Sequence, residues 1–219
     1  MKHSNVILKG ILSGVYIALA AIVYIYVLST TGNKLVASIL FSIALLVIVN
    51  RGYYLYTGKV GYLLPYEKGN VKMILETILG NTIGILAIGL LMNLVGVNEI
   101  NEYASSLVSI KFNNQWYKVL ALSILCGILM YTAVDGFNNI NNDFGKNIIV
   151  ILSVVVFLVS CFEHSIANIA YLVLAKTFSF KMFLYLIIML IGNGIGAIAI
   201  NLIHSYIKKS SVWRLLFII

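Results

Sequence analysis

Long apolar runs, separated by short polar clusters, divide the chain into stretches near 7–29, 35–63, 73–96, 116–134, 147–175 and 181–207. A helix that crosses a bilayer needs about 20 mostly apolar residues, so each stretch predicts one span. Two of them are too long and too interrupted to be plain helices. The second holds Asn50-Arg51-Gly52 and then Tyr56-Thr57-Gly58-Lys59. The fifth holds Phe162-Glu163-His164-Ser165 and Asn168 near the middle of its apolar run. Polar groups at that depth are tolerated only where they are buried in protein or line a watery cavity. The pattern therefore predicts an all-α integral membrane protein of six transmembrane helices, the second and fifth broken.

The two halves echo each other. Ile11-Leu12-Ser13-Gly14 in the first span returns as Ile124-Leu125-Cys126-Gly127 in the fourth, 113 positions on. Gly80-Asn81-Thr82-Ile83-Gly84 in the third returns as Gly192-Asn193-Gly194-Ile195-Gly196 in the sixth, 112 positions on. Three spans is an odd number, so a second copy of such a unit must insert upside down. Inverted repeats of this kind are common in transport folds, with the binding site near the midplane where interrupted helices meet. Residues 1–219 are thus expected to form a single transmembrane channel domain, with repeat one over about 7–96 and repeat two over about 116–207.

Composition agrees with a bilayer as solvent. Of 219 residues, 61% are hydrophobic and 10% charged, against roughly 25% charged in a soluble domain; mean hydropathy is +1.01. The run from Val6 to Leu28 is too long for the apolar core of a cleavable signal and lacks a small-residue cleavage site. Cys126 and Cys161 both fall inside apolar runs and are expected to be buried thiols. A net charge of +8 does not imply nucleic acid, because the cations stand singly at span ends and in short loops, where they anchor a membrane protein and attract anions.

Charge also orients the chain. Six spans put Lys2, Lys59, Lys68, Lys72, Lys146, Lys208, Lys209 and Arg214 on one side. Lys34, Lys111, Lys118, Lys176 and Lys181 stand on the other, diluted by Glu99 and Glu102. The bias of cations toward the inner face then places both termini in the cytoplasm and the chain in the cytoplasmic membrane.

Several function classes lack their residues. Glu163-His164 has no His-x-x-x-His spacing and no second histidine or cysteine pair near enough to complete a metal site. No Gly-x-Ser-x-Gly or Walker-type loop occurs. An enzyme, a metal site, a cofactor and ATP coupling are therefore not expected. A neutral small-solute channel, such as a water or glycerol pore, normally carries paired Asn-Pro-Ala motifs, absent here. A non-catalytic subunit of a membrane complex would not need polar groups at the midplane of two matching spans.

Specific motifs carry a family resemblance over about Lys9 to Ile200. Phe162-Glu163-His164-Ser165-Ile166-Ala167-Asn168 closely resembles the Phe-Glu-His-Ser-x-Ala-Asn signature of the formate/nitrite transporter family. Leu55-Tyr56-Thr57-Gly58-Lys59 resembles its Leu-Phe-Thr-Gly-Asn signature after the broken second helix. Gly80-Asn81 and Gly192-Asn193 match its glycine-asparagine pairs. The resemblance implies an aquaporin-like bundle, assembled as a homopentamer in the lipid bilayer with one pore per protomer, passing formate, nitrite or hydrosulfide. It implies that His164 is the central histidine, that Thr57 faces it, that Lys111 is the pathway lysine and that Asn168 closes the histidine signature. Phe41, Leu45, Leu55, Tyr56 and Phe157 then fall at narrow points. Tyr54 stands where the family commonly has glutamate, Arg51 is an unusual cation beside the break, and Gly127 replaces a common asparagine. The link from Asn168 to Gly192 is short and lacks a Met-x-x-Pro. Which small monovalent anion passes is left open.

An anion crossing an apolar core faces a desolvation cost of several kcal/mol. Three devices are expected to lower it: Lys111 as a cation at the mouth, free N–H groups at the half-helix starts, and His164 as a donor of a hydrogen bond or proton, since its ordinary pKa lies near neutral. Each residue also has a plainer reading. A buried membrane histidine is often an interhelical hydrogen-bond partner, and Lys111 has the reach of an interfacial lysine. Glu163 reads as a structural hydrogen-bonding group at the helix break.

Overall fold

The structure is a computed structural model that describes residues 5–216, with side chains placed through Lys209. Lys2 and the Arg214 side chain, counted above toward the charge bias, lie outside the described residues. Those residues form only helices: α1 (Val6–Thr31), α2 (Lys34–Asn50), α3 (Tyr56–Lys59) continued by a 3-10 turn (Val60–Leu63), α4 (Asn70–Val95), α5 (Asn98–Phe112), α6 (Trp116–Asn139), α7 (Asp143–Val159), α8 (Ser165–Leu174) and α9 (Phe180–Leu216). Among the described residues, α1, α4, α6 and the Phe180–Lys209 part of α9 are long and apolar enough to cross a membrane alone. The stretches 35–63 and 147–175 are each two shorter pieces, α2 with α3 and α7 with α8.

The two breaks are built alike. α2 ends in a reverse turn in which Gly52 takes a left-handed φ of 63° and the Tyr53 N–H reaches back to the Ile48 carbonyl at 2.9 Å. α7 ends the same way, with Cys161 at φ 57° and the Phe162 N–H on the Phe157 carbonyl at 2.9 Å. This is the Schellman ending, which satisfies a terminal carbonyl that the helix leaves open. After each turn the chain runs extended through Leu55 or His164 and then re-enters a helix.

α1 lies along α4, and α6 along α9. Glycine permits both approaches: a Cβ on Gly14 would run into the Asn81 carbonyl, and one on Gly127 into the Asn193 carbonyl. Neither position has room for a side chain. Large apolar side chains such as Leu19, Ile43, Leu75, Leu90 and Ile203 face outward, as an apolar solvent requires.

Two expectations change. Residues 98–112 form α5, a helix the span pattern did not predict. Its polar residues hid a stripe at four-residue spacing, Ile100, Ala104, Val108 and Phe112, all buried. Cys126 is buried, but Cys161 is exposed, because the turn that ends α7 pushes it out of the apolar run that surrounds it in sequence.

Candidate functional site

Two buried asparagines hold the breaks. Asn81 Oδ1 accepts the Tyr56 N–H at 3.0 Å, while its Nδ2 donates to the Gly10 carbonyl at 2.9 Å and the Tyr54 carbonyl at 2.8 Å. Asn193 Oδ1 accepts the Ser165 N–H at 2.9 Å, while its Nδ2 donates to the Ser123 and Glu163 carbonyls, each at 2.8 Å. The two sets correspond bond for bond. An asparagine is suited to this because its amide supplies both donors and an acceptor, so it replaces the backbone bonds that the break removes.

Thr57 and His164 meet between these two clamps. Thr57 Oγ1 lies 2.9 Å from His164 Nε2, and both residues are almost fully buried. His164 is the N-cap of α8, its Nδ1 accepting the Ala167 N–H at 3.1 Å. A nitrogen that accepts an N–H carries no proton, so the neutral ring is the Nε2–H tautomer and donates to Thr57. The threonine hydroxyl is left able to donate onward.

This geometry narrows the expectation of free N–H groups at the half-helix starts, because three of them are already taken. The N–H groups of Tyr56 and Ser165 go to Asn81 and Asn193, and that of Ala167 to the histidine ring. A buried amide without a partner is costly, and the fold satisfies these from within.

Glu163, Lys111 and Asn168 form one network. Lys111, on the last turn of α5, places Nζ 2.7 Å from Glu163 Oε2; their side chains are 12% and 2% exposed. Asn168 Nδ2 donates to the same oxygen at 2.9 Å and to the His164 carbonyl at 2.9 Å. Lys111 is thus committed to a carboxylate one residue from His164, and Glu163 and Asn168 both brace the break.

A cavity of about 570 Å³ reaches from the C-terminal end of α1 and the N-terminal end of α6 to this group. Its walls include Lys34, Lys111 and Lys118 together with Glu163, His164, Asn168 and Phe157. Cations scattered in sequence are so gathered around one vestibule. On the far side of Thr57 lies a small cavity of about 60 Å³, lined in part by Leu45, Leu55 and Lys59. Thr57 and Phe41 line neither cavity. Phe41 meets Phe157 edge-on at 6.1 Å, and Phe157 lies 5.5 Å from the His164 ring. Tyr56 is placed differently: its hydroxyl donates to the Leu190 carbonyl on α9 at 2.7 Å, and it lines neither space.

The sequence alone did not single out Tyr24 or Tyr171 as wall residues, nor Lys34, whose Nζ donates to the Val159 carbonyl at 3.0 Å and to Cys161 Sγ at 2.8 Å. Tyr171 had a signal, since it follows His164 and Asn168 on one helical face. Lys34 had none. Beyond the other break, Tyr54 carries the ammonium groups of Lys9 and Lys59 over its ring, 4.9 and 4.5 Å from the centroid. Arg51 is the exposed C-cap of α2.

Comparison with known proteins falls in the same direction throughout. Residues 1–207 match the sequence profile of a family described as "Formate/nitrite transporter". Formate channel FocA of Escherichia coli (strain K12) is 30% identical over 176 residues, covering 73% of this chain and 62% of that protein. FocA of Haemophilus influenzae is 27% identical over 178 residues, covering 74% and 63%. The match thus spans less than two thirds of the length of these relatives. Among solved structures, one called "FNT family ion channel" superposes with a TM-score of 0.82 at 21% identity, covering 91% of this chain and 88% of that one. Another, "Pentameric formate channel with formate bound", gives 0.70 at 20% identity, covering 98% and 97%.

Proposed function

Because this chain belongs to the formate/nitrite transporter family, we propose that it is a channel for a small monovalent anion: formate, nitrite or hydrosulfide. The single observation that carries this reading is the Thr57–His164 hydrogen bond of 2.9 Å at the floor of a lysine-walled vestibule. The protein is a multi-pass protein of the cytoplasmic membrane with both termini on the cytoplasmic side, so the vestibule opens outward. Its six transmembrane segments form two inverted repeats of one aquaporin-like channel domain: α1, α2–α3 and α4, then α6, α7–α8 and α9. The matching clamps of Asn81 and Asn193 support that pairing. Five copies assemble, each with its own pore; the solved structure that superposes with a TM-score of 0.70 is itself called pentameric. It is not an enzyme.

In this reading Lys34 and Lys118 raise the local anion concentration at the mouth, while Lys111, neutralised by Glu163, acts by holding that carboxylate. The anion sheds water against Phe157 and Phe41 and exchanges it for hydrogen bonds from Thr57 and from His164 Nε2–H. Since Nδ1 is occupied as the helix cap, the ring acts by donating a hydrogen bond, and a proton moves only if the cap opens. Leu45 and Leu55 complete the barrier to hydrated ions on the inner side. Glu163 and Asn168 act through His164 by holding the break.

The test is anion flux in proteoliposomes for the parent and His164→Phe, with formate, nitrite and hydrosulfide in competition across about pH 5 to 8. Flux and pH dependence should both change in the variant. Identical curves would remove His164 from the pathway.

A further inference from the structure

The vestibule wall holds a hydrogen-bonding group that the Thr57–His164 pair leaves unused. Tyr171, on α8, is 2% exposed, and its hydroxyl has no hydrogen-bond partner among the described residues. It lines the same cavity of about 570 Å³ as His164, Asn168 and Glu163. His164, Asn168 and Tyr171 follow at i, i+4 and i+7, which puts them on one face of the helix. Helical side chains lean toward the N-terminus of their helix, so the tyrosine ring leans toward His164. That ring is held by stacking on Tyr24, with centroids 6.3 Å apart, and Tyr24 in turn meets Phe41 edge-on at 5.9 Å. Asn168 Oδ1, on the same face, is also without a partner.

A buried hydroxyl is costly unless something completes its hydrogen bond. Here two residues of the cavity wall supply a donor and, one turn away, an acceptor, both buried and without a partner among the described residues. We propose that the Tyr171 hydroxyl is a second hydrogen-bond donor to the permeating anion, met in the vestibule before His164, and that it favours oxyanions over hydrosulfide. The proposal rests on the anion-channel reading above and adds a selectivity element to it. An O–H group bonds a charged oxygen over a short distance and strongly, whereas sulfur is a weak acceptor. An oxyanion accepts from Tyr171 with one oxygen and keeps a water on the other, and that water donates to Asn168 Oδ1. Being uncharged, the phenol steers the anion without trapping it, and Lys111 stays with Glu163.

The experiment compares formate and hydrosulfide uptake into proteoliposomes by the parent, Tyr171→Phe and Tyr26→Phe. Tyr26 is 49% exposed on the outer face of α1 and serves as the control. Losing one charge-assisted hydrogen bond should raise the half-saturating formate concentration about tenfold, with hydrosulfide uptake changed less than twofold and the control like the parent. Equal changes for both anions, or none, would overturn the proposal and leave the channel reading standing. A parent protein that passes neither of these anions, nor nitrite in the same assay, would overturn both. Should Tyr171→Phe fail to fold, Tyr171→Met also removes the donor while fitting irregular space, and the same outcomes decide.

Discussion

Lys111 Nζ stands 2.7 Å from Glu163 Oε2, tying the last turn of α5 to the residue that precedes His164 at the break between α7 and α8. The pair is almost wholly out of water, and Asn168 bonds the same carboxylate oxygen. A buried ion pair adds little stability in itself, but removing one partner strands the other charge.

Lys111→Met should therefore destabilise the protein by about 3 kcal/mol, read as a lower unfolding midpoint in detergent. Adding Glu163→Gln should recover much of the loss, because the stranded charge disappears and Asn168 keeps a hydrogen-bond acceptor. If the single variant unfolds where the parent does, the pair is not structural, and Lys111 acts on the anion alone.

Much of this site was legible in the sequence, for different reasons. The broken spans could be read because polar residues at bilayer depth demand a special location. Asn81 and Asn193 could be found as an echo, since glycine-asparagine pairs recur at one offset; that they clamp the breaks needed the hydrogen bonds. Lys111 was placed at the vestibule by resemblance, but its commitment to Glu163 depends on α5, whose polar residues masked the buried stripe from Ile100 to Phe112. Cys161 misled because hydropathy averages over a run and does not see the turn that ejects one residue. Tyr56 differs for a related reason: the spacing of a motif does not fix where a side chain turns, here to the Leu190 carbonyl.

Asn193→Leu should uncouple the second break. Leucine fills a similar volume but removes three hydrogen bonds, leaving the Ser165 N–H and the Glu163 carbonyl without the amide that holds them, while the Ser123 carbonyl keeps its place in the α6 ladder. At about 1 kcal/mol for each bond, the loss is about 3 kcal/mol. Flux should fall further than stability alone explains, because His164 lies between the Glu163 carbonyl and the Ser165 N–H that Asn193 holds. Asn81→Leu, at the other break, should lose similar stability. A well-folded Asn193→Leu protein with parental flux would show that the clamp does not position the histidine.

The vestibule itself can be tested through the chain's two thiols. Cys126 is 0% exposed and should resist a membrane-impermeant thiol reagent, whereas Cys161 is exposed, lines the cavity and has Lys34 Nζ 2.8 Å from its sulfur. One label per chain is expected, and none in Cys161→Ser. A bulky adduct at Cys161 stands between the lysine-lined mouth and His164, so it should cut anion flux severalfold, while the serine variant treated in the same way keeps its own untreated rate. Reagent added from outside sealed cells should reach the site if the proposed orientation holds, with both termini in the cytoplasm and this cavity at the opposite face. Complete labelling with undiminished flux would mean that anions reach His164 by another route; labelling only after the cells are opened would reverse the assigned orientation.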